Sequence, residues 1–334
     1  MKAVFIRQHG DPSVLEYGDI ADPTTAADQV VIRVRAASIN RLDLYSRAGN
    51  RGTKQPDDQF PRILGGDSSG DVVEVGSGVT NLKVGERVVI NPLLSVDPFP
   101  RMIGTHEQGS YAEFVAVPAV NVVPIADSLS YVQAATLPTV FLPTWSIIMR
   151  EGRLQSHETA MVLSSSSGVG TAAIQIIKGV VGATCIAVTS SDEKIRKSIE
   201  IGADHTINYK TEELADRVKE ITGGKGVDMV VDSSGALFFE AAYASLARGG
   251  RFGTCGVTSG YQSQIHLGQL FSKELRVFGV FMGSTDELRQ IVDAAGKGQI
   301  QGAIHRTLPL KDVATAHEEM ERSEHFGKFV VTVD

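Results

Sequence analysis

Apolar and polar positions fall along the chain in two textures. Up to about residue 125, short β-type runs dominate: Ala3–Ile6, Gln29–Ala37, Gly70–Val75, Arg87–Asn91, Tyr111–Pro118 and Asn121–Pro124. Glycine and proline clusters separate them, as turn residues punctuate strands. From about Leu129 the pattern changes. Apolar runs at Ala160–Ser164, Thr184–Thr189, His205–Asn208, Met229–Asp232 and Gly250–Gly256 alternate with helical patterns. Those patterns cover Gly168–Val181, Asp192–Ile201, Thr211–Thr222 and Ala236–Leu246. Such alternation predicts a parallel sheet with crossover helices. After Gly298 comes a strand–helix–strand tail (Ala303–Leu308, Leu310–Glu321, Gly327–Val333), too short for a core of its own. The expected organisation is a β-rich domain over residues 1–127, completed by 297–334, and a doubly wound α/β domain over 128–296.

Composition narrows the functional classes. With 32 basic against 39 acidic residues the net charge is −7, which argues against nucleic acid or an anionic membrane as main partner. No apolar run approaches the roughly 18 residues of a membrane span, and no signal-peptide layout opens the chain. Cys185 and Cys255, the two cysteines, both lie in apolar runs and read as small buried hydrophobes, not a disulfide. A reducing compartment, the cytoplasm, is expected.

The strongest local signal runs from Met161 to Lys178: an apolar run, a turn of small residues, then a helical pattern. A pyrophosphate can sit on a helix N-terminus only where the backbone approaches closely enough for N–H groups to reach it. Ser165, Ser166, Ser167, Gly168, Val169 and Gly170 form that turn. The dinucleotide fingerprint G-x-G-x-x-G maps onto Ser165-x-Ser167-x-x-Gly170, so serine replaces two of three glycines. The loop alone equally fits a helix N-cap; its strand–turn–helix context favours a Rossmann dinucleotide site. The next strand, Thr184–Thr189, ends about 20 residues further on, where NAD sites carry Asp or Glu for the ribose 2′-OH. Here stand Thr189, Ser190 and Ser191. Hydroxyls do not repel a 2′-phosphate, and Lys194 and Tyr209 lie within reach in sequence. NADP(H) is therefore the expected cofactor, although Asp192 and Glu193 weaken the electrostatic case.

The chain resembles the medium-chain dehydrogenase/reductase superfamily, and within it the zinc-free quinone oxidoreductase branch. The resemblance covers nearly the whole length: Gly10–Leu15, Asn40–Asp43, Pro61–Gly76, Gly109–Val115, Ala134–Pro138, Thr144–Trp145, Gly202–Tyr209 and Gly327–Val331. It implies a GroES-like, partly open β-barrel catalytic domain beside the Rossmann domain. Zinc members of the superfamily use Cys, His-Glu and Cys as ligands. The matching positions hold Asn40, Gly66 with Asp67, and Val140, and residues 91–104 lack the four cysteines of the structural zinc lobe. A catalytic zinc needs three or four converging N, S or O donors, so no metal is expected. His106 and Glu107 are expected to be a loop pair rather than ligands.

The resemblance further implies Asn40 at the substrate or nicotinamide, and it places Thr144, Gly256, Val257, Phe281, Met282, Gly283 and Lys328 at the cofactor. Tyr45 is a candidate donor, packing being the alternative. Asp43 and Asp67 are expected to hold loop structure. Without a metal to polarise oxygen, enones and quinones are easier hydride acceptors than ketones. The predicted activity is NADPH-dependent, zinc-independent reduction of a quinone, enone or related small carbonyl compound. The alternatives are a zinc-free alcohol dehydrogenase or carbonyl reductase, and a non-enzymatic NADPH-binding protein. The short-chain class is excluded, because none of the seven tyrosines is followed four residues on by lysine. Leu275–Met282 is strongly β-prone, fitting either an edge strand that pairs with its copy or an inner strand. A homodimer or dimer of dimers is expected.

Overall fold

The structure is a computed structural model that describes residues 1–56 and 59–334. Its first unit comprises residues 1–139, 284–296 and 302–334. Strands β1 (Lys2–Ile6), β2 (Glu16–Asp19) and β3 (Gln29–Ser38) lead into helix α1 (Arg41–Ala48). Then come β4 (Arg62–Ile63), β5 (Asp67–Val75), β6 (Arg87–Ile90), β7 (Leu93–Ser95), β8 (Arg101–Met102), β9 (Phe114–Pro118), β10 (Val122–Pro124) and helix α2 (Tyr131–Ala135). Val30, Ile32 and Val34 of β3 join the core of this unit and Arg33 between them is exposed, while Val31, Ala36, Ala37 and Ser38 are buried as well.

The second unit comprises residues 140–283 and 297–301. Helix α3 (Pro138–Trp145) runs into a π-helical turn, Ser146–Glu151. Six strands follow with their crossovers: β11 (Thr159–Val162), α4 (Gly168–Gln175), β12 (Thr184–Thr189), α5 (Asp192–Glu200), β13 (His205–Asn208), α6 (Leu214–Ile221), β14 (Val227–Asp232), α7 (Ala236–Ala244), β15 (Leu246–Thr254), α8 (Leu267–Ser272) and β16 (Arg276–Gly279). They pair in parallel in the order β13-β12-β11-β14-β15-β16. This is the Rossmann order, with its topological switch between β11 and β14. β16 lies at an edge of this sheet, not inside it. Met161, Ile186, Val230 and Phe252 from four adjacent strands form its core.

The chain then supplies α9 (Thr285–Gly296), β17 (Ile304–Pro309), α10 (Val313–Arg322) and β18 (Lys328–Thr332) to the first unit. β18 completes a seven-stranded sheet beside β3. The units divide at 139/140 and 283/284, later and earlier respectively than the sequence pattern suggests. Helix α2 explains the first shift: its Ala135 packs with Ala36 and Val330 of the barrel sheet. No described helix is long and apolar enough to cross a membrane.

Candidate functional site

In the Rossmann unit, β11 ends at Val162 and the chain turns through Ser164, held at φ +51°, a region disfavoured for non-glycine residues. The Ser164 and Ser234 hydroxyls meet at 2.5 Å, joining the ends of β11 and β14 at the switch point. Ser165 is fully buried; its N–H donates to Val188 O, and its hydroxyl lies 3.0 Å from that of Ser198 on α5. Ser167 caps α4, accepting from Gly170 N–H at 3.0 Å. The N–H groups of Gly168 and Val169 have no intrahelical acceptor. A Cβ on Gly170 would lie 2.4 Å from Ser164 O, so glycine is required for the helix to sit this close to the loop.

The end of β12 carries Thr189, 2 % exposed, whose Oγ1 has no hydrogen-bond partner. A buried hydroxyl without a partner is costly unless a ligand satisfies it. Ser190 follows half-buried, and Ser191 caps α5 with its hydroxyl toward Lys194 N–H at 3.4 Å. Lys194 and Tyr209 are half-buried beside them, Tyr209 packed edge-on to Phe238 at 4.8 Å. Glu193 is paired with Lys197, which tempers its repulsion. These features would suit a dinucleotide: helix N–H groups without intrahelical acceptors, close backbone, and an unsatisfied hydroxyl at the end of β12.

At the C-terminal ends of β14 and β15, Asp232 accepts from Ser234 N–H (2.8 Å), Gly235 N–H (3.0 Å) and the Thr254 hydroxyl (3.0 Å); burial raises its pKa. This keystone escaped the sequence reading, although Asp before Ser-Ser-Gly is a turn signature. Gly256 packs against Ser233, where a Cβ would meet the carbonyl at 2.7 Å; Val257 follows half-buried. Thr144 donates to Val140 O within its own helix at 2.5 Å. The Met282 carbonyl accepts from Ser146 at 3.1 Å, between exposed Phe281 and buried Gly283.

In the barrel unit, three adjacent strands assemble a buried polar cluster. β18 pairs antiparallel with β3 through Val330↔Ser38, and β3 pairs with β5 through Ser38↔Asp67. Two residues out along both strands, Lys328 comes beside Asn40. Asp67 is 0 % exposed and accepts five hydrogen bonds. Ser38 Oγ (3.0 Å), Asn40 Nδ2 (2.9 Å) and Lys328 Nζ (3.4 Å) share Oδ2; Thr139 N–H (3.1 Å) and Oγ1 (2.6 Å) share Oδ1. Lys328 Nζ also donates to Asn40 Oδ1. On the other side, Asp43 Oδ2 accepts from Asn40 N–H (2.8 Å) and Tyr111 OH (2.9 Å). Burial pushes Asp43 up to about 6, helped by repulsion from Asp67, and it pulls the Lys328 ammonium down. Tyr111 is raised well above its usual range.

Lys328 thus binds its own unit's Asn40 and Asp67, partners the sequence reading, which assigned it to the cofactor, did not foresee. Asp43 and Asp67 do hold loop structure. Tyr45 is half-buried with the Arg51 guanidinium 4.5 Å over its ring. Ser38, Tyr111 and Thr139 were missed, since their partners are remote in sequence.

The zinc ligands of the superfamily do not fit here. Asp67 already accepts from five donors, one of them Lys328 Nζ. His106 Nδ1 accepts from Met102 N–H at 3.1 Å, and Glu107 pairs with Arg101. Among the described residues no three His, Cys, Asp or Glu converge as metal ligands.

Two family models match: "Alcohol dehydrogenase GroES-like domain" over residues 26–127 and "Zinc-binding dehydrogenase" over 168–297. A quinone oxidoreductase of Pseudomonas aeruginosa is 30 % identical, the match covering 99 % of both chains. The chain belongs to the medium-chain dehydrogenase/reductase superfamily. A crystal structure of an NAD-dependent alcohol dehydrogenase superposes with TM-score 0.94 at 36 % identity over 100 % of both chains. Escherichia coli quinone oxidoreductase complexed with NADPH superposes with TM-score 0.85 at 27 % identity, over 99 % of this chain and 100 % of that one. This superfamily member is an oxidoreductase acting on small molecules with a nicotinamide cofactor.

Proposed function

We propose that the chain is an NADPH-dependent, zinc-independent reductase of quinones, enones or related small carbonyl compounds. The observation that carries the cofactor choice is the end of β12. Thr189 holds a buried hydroxyl without a partner there, and no carboxylate follows on Ser190 or Ser191. Ser165–Gly170 and the α4 N-terminus would hold the pyrophosphate. Thr189, Ser190, Ser191, Lys194 and Tyr209 would receive the phosphorylated ribose. Thr144, Gly256, Val257, Phe281, Met282 and Gly283 would line the nicotinamide end. NADPH, when bound, supplies hydride.

Asn40 would meet the substrate oxygen, and Tyr45 is a second donor candidate. Zinc independence is supported by the donor set: Asn40, Gly66 and Val140 stand at the ligand positions, and Asp67 is saturated by hydrogen bonds. Both thiols are free and buried or half-buried, which supports work in a reducing cytoplasm. Self-pairing along β16, into a homodimer or dimer of dimers, is the proposed assembly.

Fluorescence titration tests the cofactor: NADPH should bind at least about tenfold more tightly than NADH, a difference of about 1.4 kcal/mol. Preference for NADH would overturn the strand-end reading. Likeness to an NAD-dependent alcohol dehydrogenase makes alcohol oxidation the second reading. Turnover of secondary alcohols without enone or quinone reduction would establish it. Tight NADPH binding without turnover on any acceptor would establish a binding protein instead. Stoichiometric zinc by elemental analysis would refute the metal-free site.

A further inference from the structure

We propose that Lys328 and Asp67 are positioning residues that lock the Asn40 carboxamide as a hydrogen-bond donor, so that the site takes a substrate with a bare, conjugated oxygen rather than an alcohol. This rests on the reductase reading and deepens it by naming how the substrate class is chosen.

The orientation of an Asn side chain follows from its neighbours' chemistry, not from its electron count. Lys328 Nζ donates to Asp67 Oδ2 and, on its other side, to Asn40, so the Asn40 atom facing it is the oxygen. The atom 2.9 Å from Asp67 Oδ2 faces an oxygen that already accepts from Ser38 and Lys328, so it is the NH2 group. Both faces of the amide agree, and a flip would set carbonyl against carboxylate and NH2 against ammonium.

One amide N–H of Asn40 remains outside these contacts. Asn40, at 6 % exposed, is more open than Lys328 at 3 %, Asp43 at 2 %, and Asp67 and Tyr111 at 0 %; only Thr139, on the other oxygen of Asp67, is half-buried. The ammonium on Oδ1 draws electron density from the amide, strengthening that N–H as a donor in a low-dielectric setting. What Asn40 offers a ligand is therefore a polarised, neutral donor.

A neutral donor suits a delocalised oxyanion. When hydride from NADPH reaches the β-carbon of an enone, the C=C pair shifts and the carbonyl π pair moves onto oxygen, giving an enolate. Water then protonates the α-carbon. The substrate gains hydride and a proton, and NADPH leaves as NADP⁺. The charge needs hydrogen bonds rather than a Lewis acid. Alcohol oxidation has the opposite need, a base for the O–H proton. Asp67 is saturated by five hydrogen bonds, and Lys328 Nζ is engaged with both Asn40 Oδ1 and Asp67 Oδ2.

The test uses full-length protein and the variants Asn40→Leu, Lys328→Met and Lys328→Arg. Readouts are kcat and KM for 2-cyclohexenone and a benzoquinone, oxidation of 2-butanol, thermal midpoint, and dissociation constants of NADPH and of 4-nitrophenolate, a stable enolate mimic. Asn40→Leu should lower kcat about 10²-fold, weaken the phenolate by a similar factor, and leave NADPH affinity unchanged. Lys328→Met should lower kcat about tenfold or more with little change in KM, and Lys328→Arg should restore most of it. Wild-type kcat or phenolate affinity in folded Asn40→Leu overturns the donor role. Lys328→Met that loses thermal stability yet keeps kcat makes Lys328 merely structural. If Lys328→Met does not fold, Lys328→Arg decides: wild-type-like kcat supports positioning. Loss of 2-butanol oxidation in Lys328→Arg, with enone reduction intact, would make Lys328 an alcohol base and overturn the proposal. If wild type reduces no acceptor, the reductase reading fails, while the phenolate measurement still decides Asn40.

Discussion

At the scale of single residues, Asp43 sets a pH dependence with a definite sign. Its carboxyl is buried and raised from 3.8 to about 6. A carboxyl raised on folding binds its proton more tightly in the native state, so stability falls as pH rises through this window and levels off above it. The span of about 2 pKa units corresponds to about 3 kcal/mol. Asp43→Asn keeps an acceptor for Asn40 N–H and Tyr111 OH but cannot ionise. The stability of Asp43→Asn relative to wild type should therefore rise by about 3 kcal/mol from about pH 4 to about pH 7, read by urea unfolding. A difference that stays constant with pH would show that Asp43 titrates normally. The residue scale is also where sequence was least legible. Asp67 and Lys328 are 261 positions apart, and only strand register brings them together.

Among the elements, β12 and β13 were read to the residue, because small and polar residues bound their apolar runs. The strand Arg62–Ile63 and the β7–β8 hairpin were not, since strands of two or three residues carry no period. Helix α6 starts at Leu214 rather than Thr211. The Asn208 side chain accepts from Lys210 N–H, and Glu212 reaches back to Asn208 N–H, closing a turn first. The β11–α4 corner was legible as strand–turn–helix, but the pairing of Ser165 with Ser198 was not, because it depends on the packing of α5. Gly170 is the tightest point of that corner: a Cβ would sit 2.4 Å from Ser164 O and 2.6 Å from Ser165 Cα, both backbone. Neither can rotate away, so α4 must move. Gly170→Ala should lower stability by about 2 kcal/mol, in the range of overpacking, and weaken NADPH at least about tenfold. Thermal melts and the same fluorescence titration measure both. Wild-type NADPH affinity in a folded Gly170→Ala would mean that the loop is not the pyrophosphate site.

For the whole molecule, the change from β texture to strand–helix alternation suggests two domains; of the expected tail 297–334, residues 302–334 lie in the first unit and 297–301 in the second. The exact divisions were not legible, because α2 and α9 carry helical patterns that either unit could bury. Self-association was suggested by Leu275–Met282 and is argued now from the surface. β16 is an edge strand, so one row of its backbone donors and acceptors faces outward. Large apolar residues of the same unit are exposed around it: Val277 on the strand, and Leu267 and Phe271 on α8. A second copy related by a two-fold axis would pair β16 with β16 and cover these side chains at once. Burial of about 800 Å² on each partner is enough for a stable interface. Sedimentation should then give twice 35.7 kDa. Val277→Lys places a charge on the edge, the usual block to strand pairing, and should yield monomers whose NADPH affinity matches wild type. A wild-type protein sedimenting at 35.7 kDa, or a Val277→Lys variant still at twice that mass, would remove β16 as the interface.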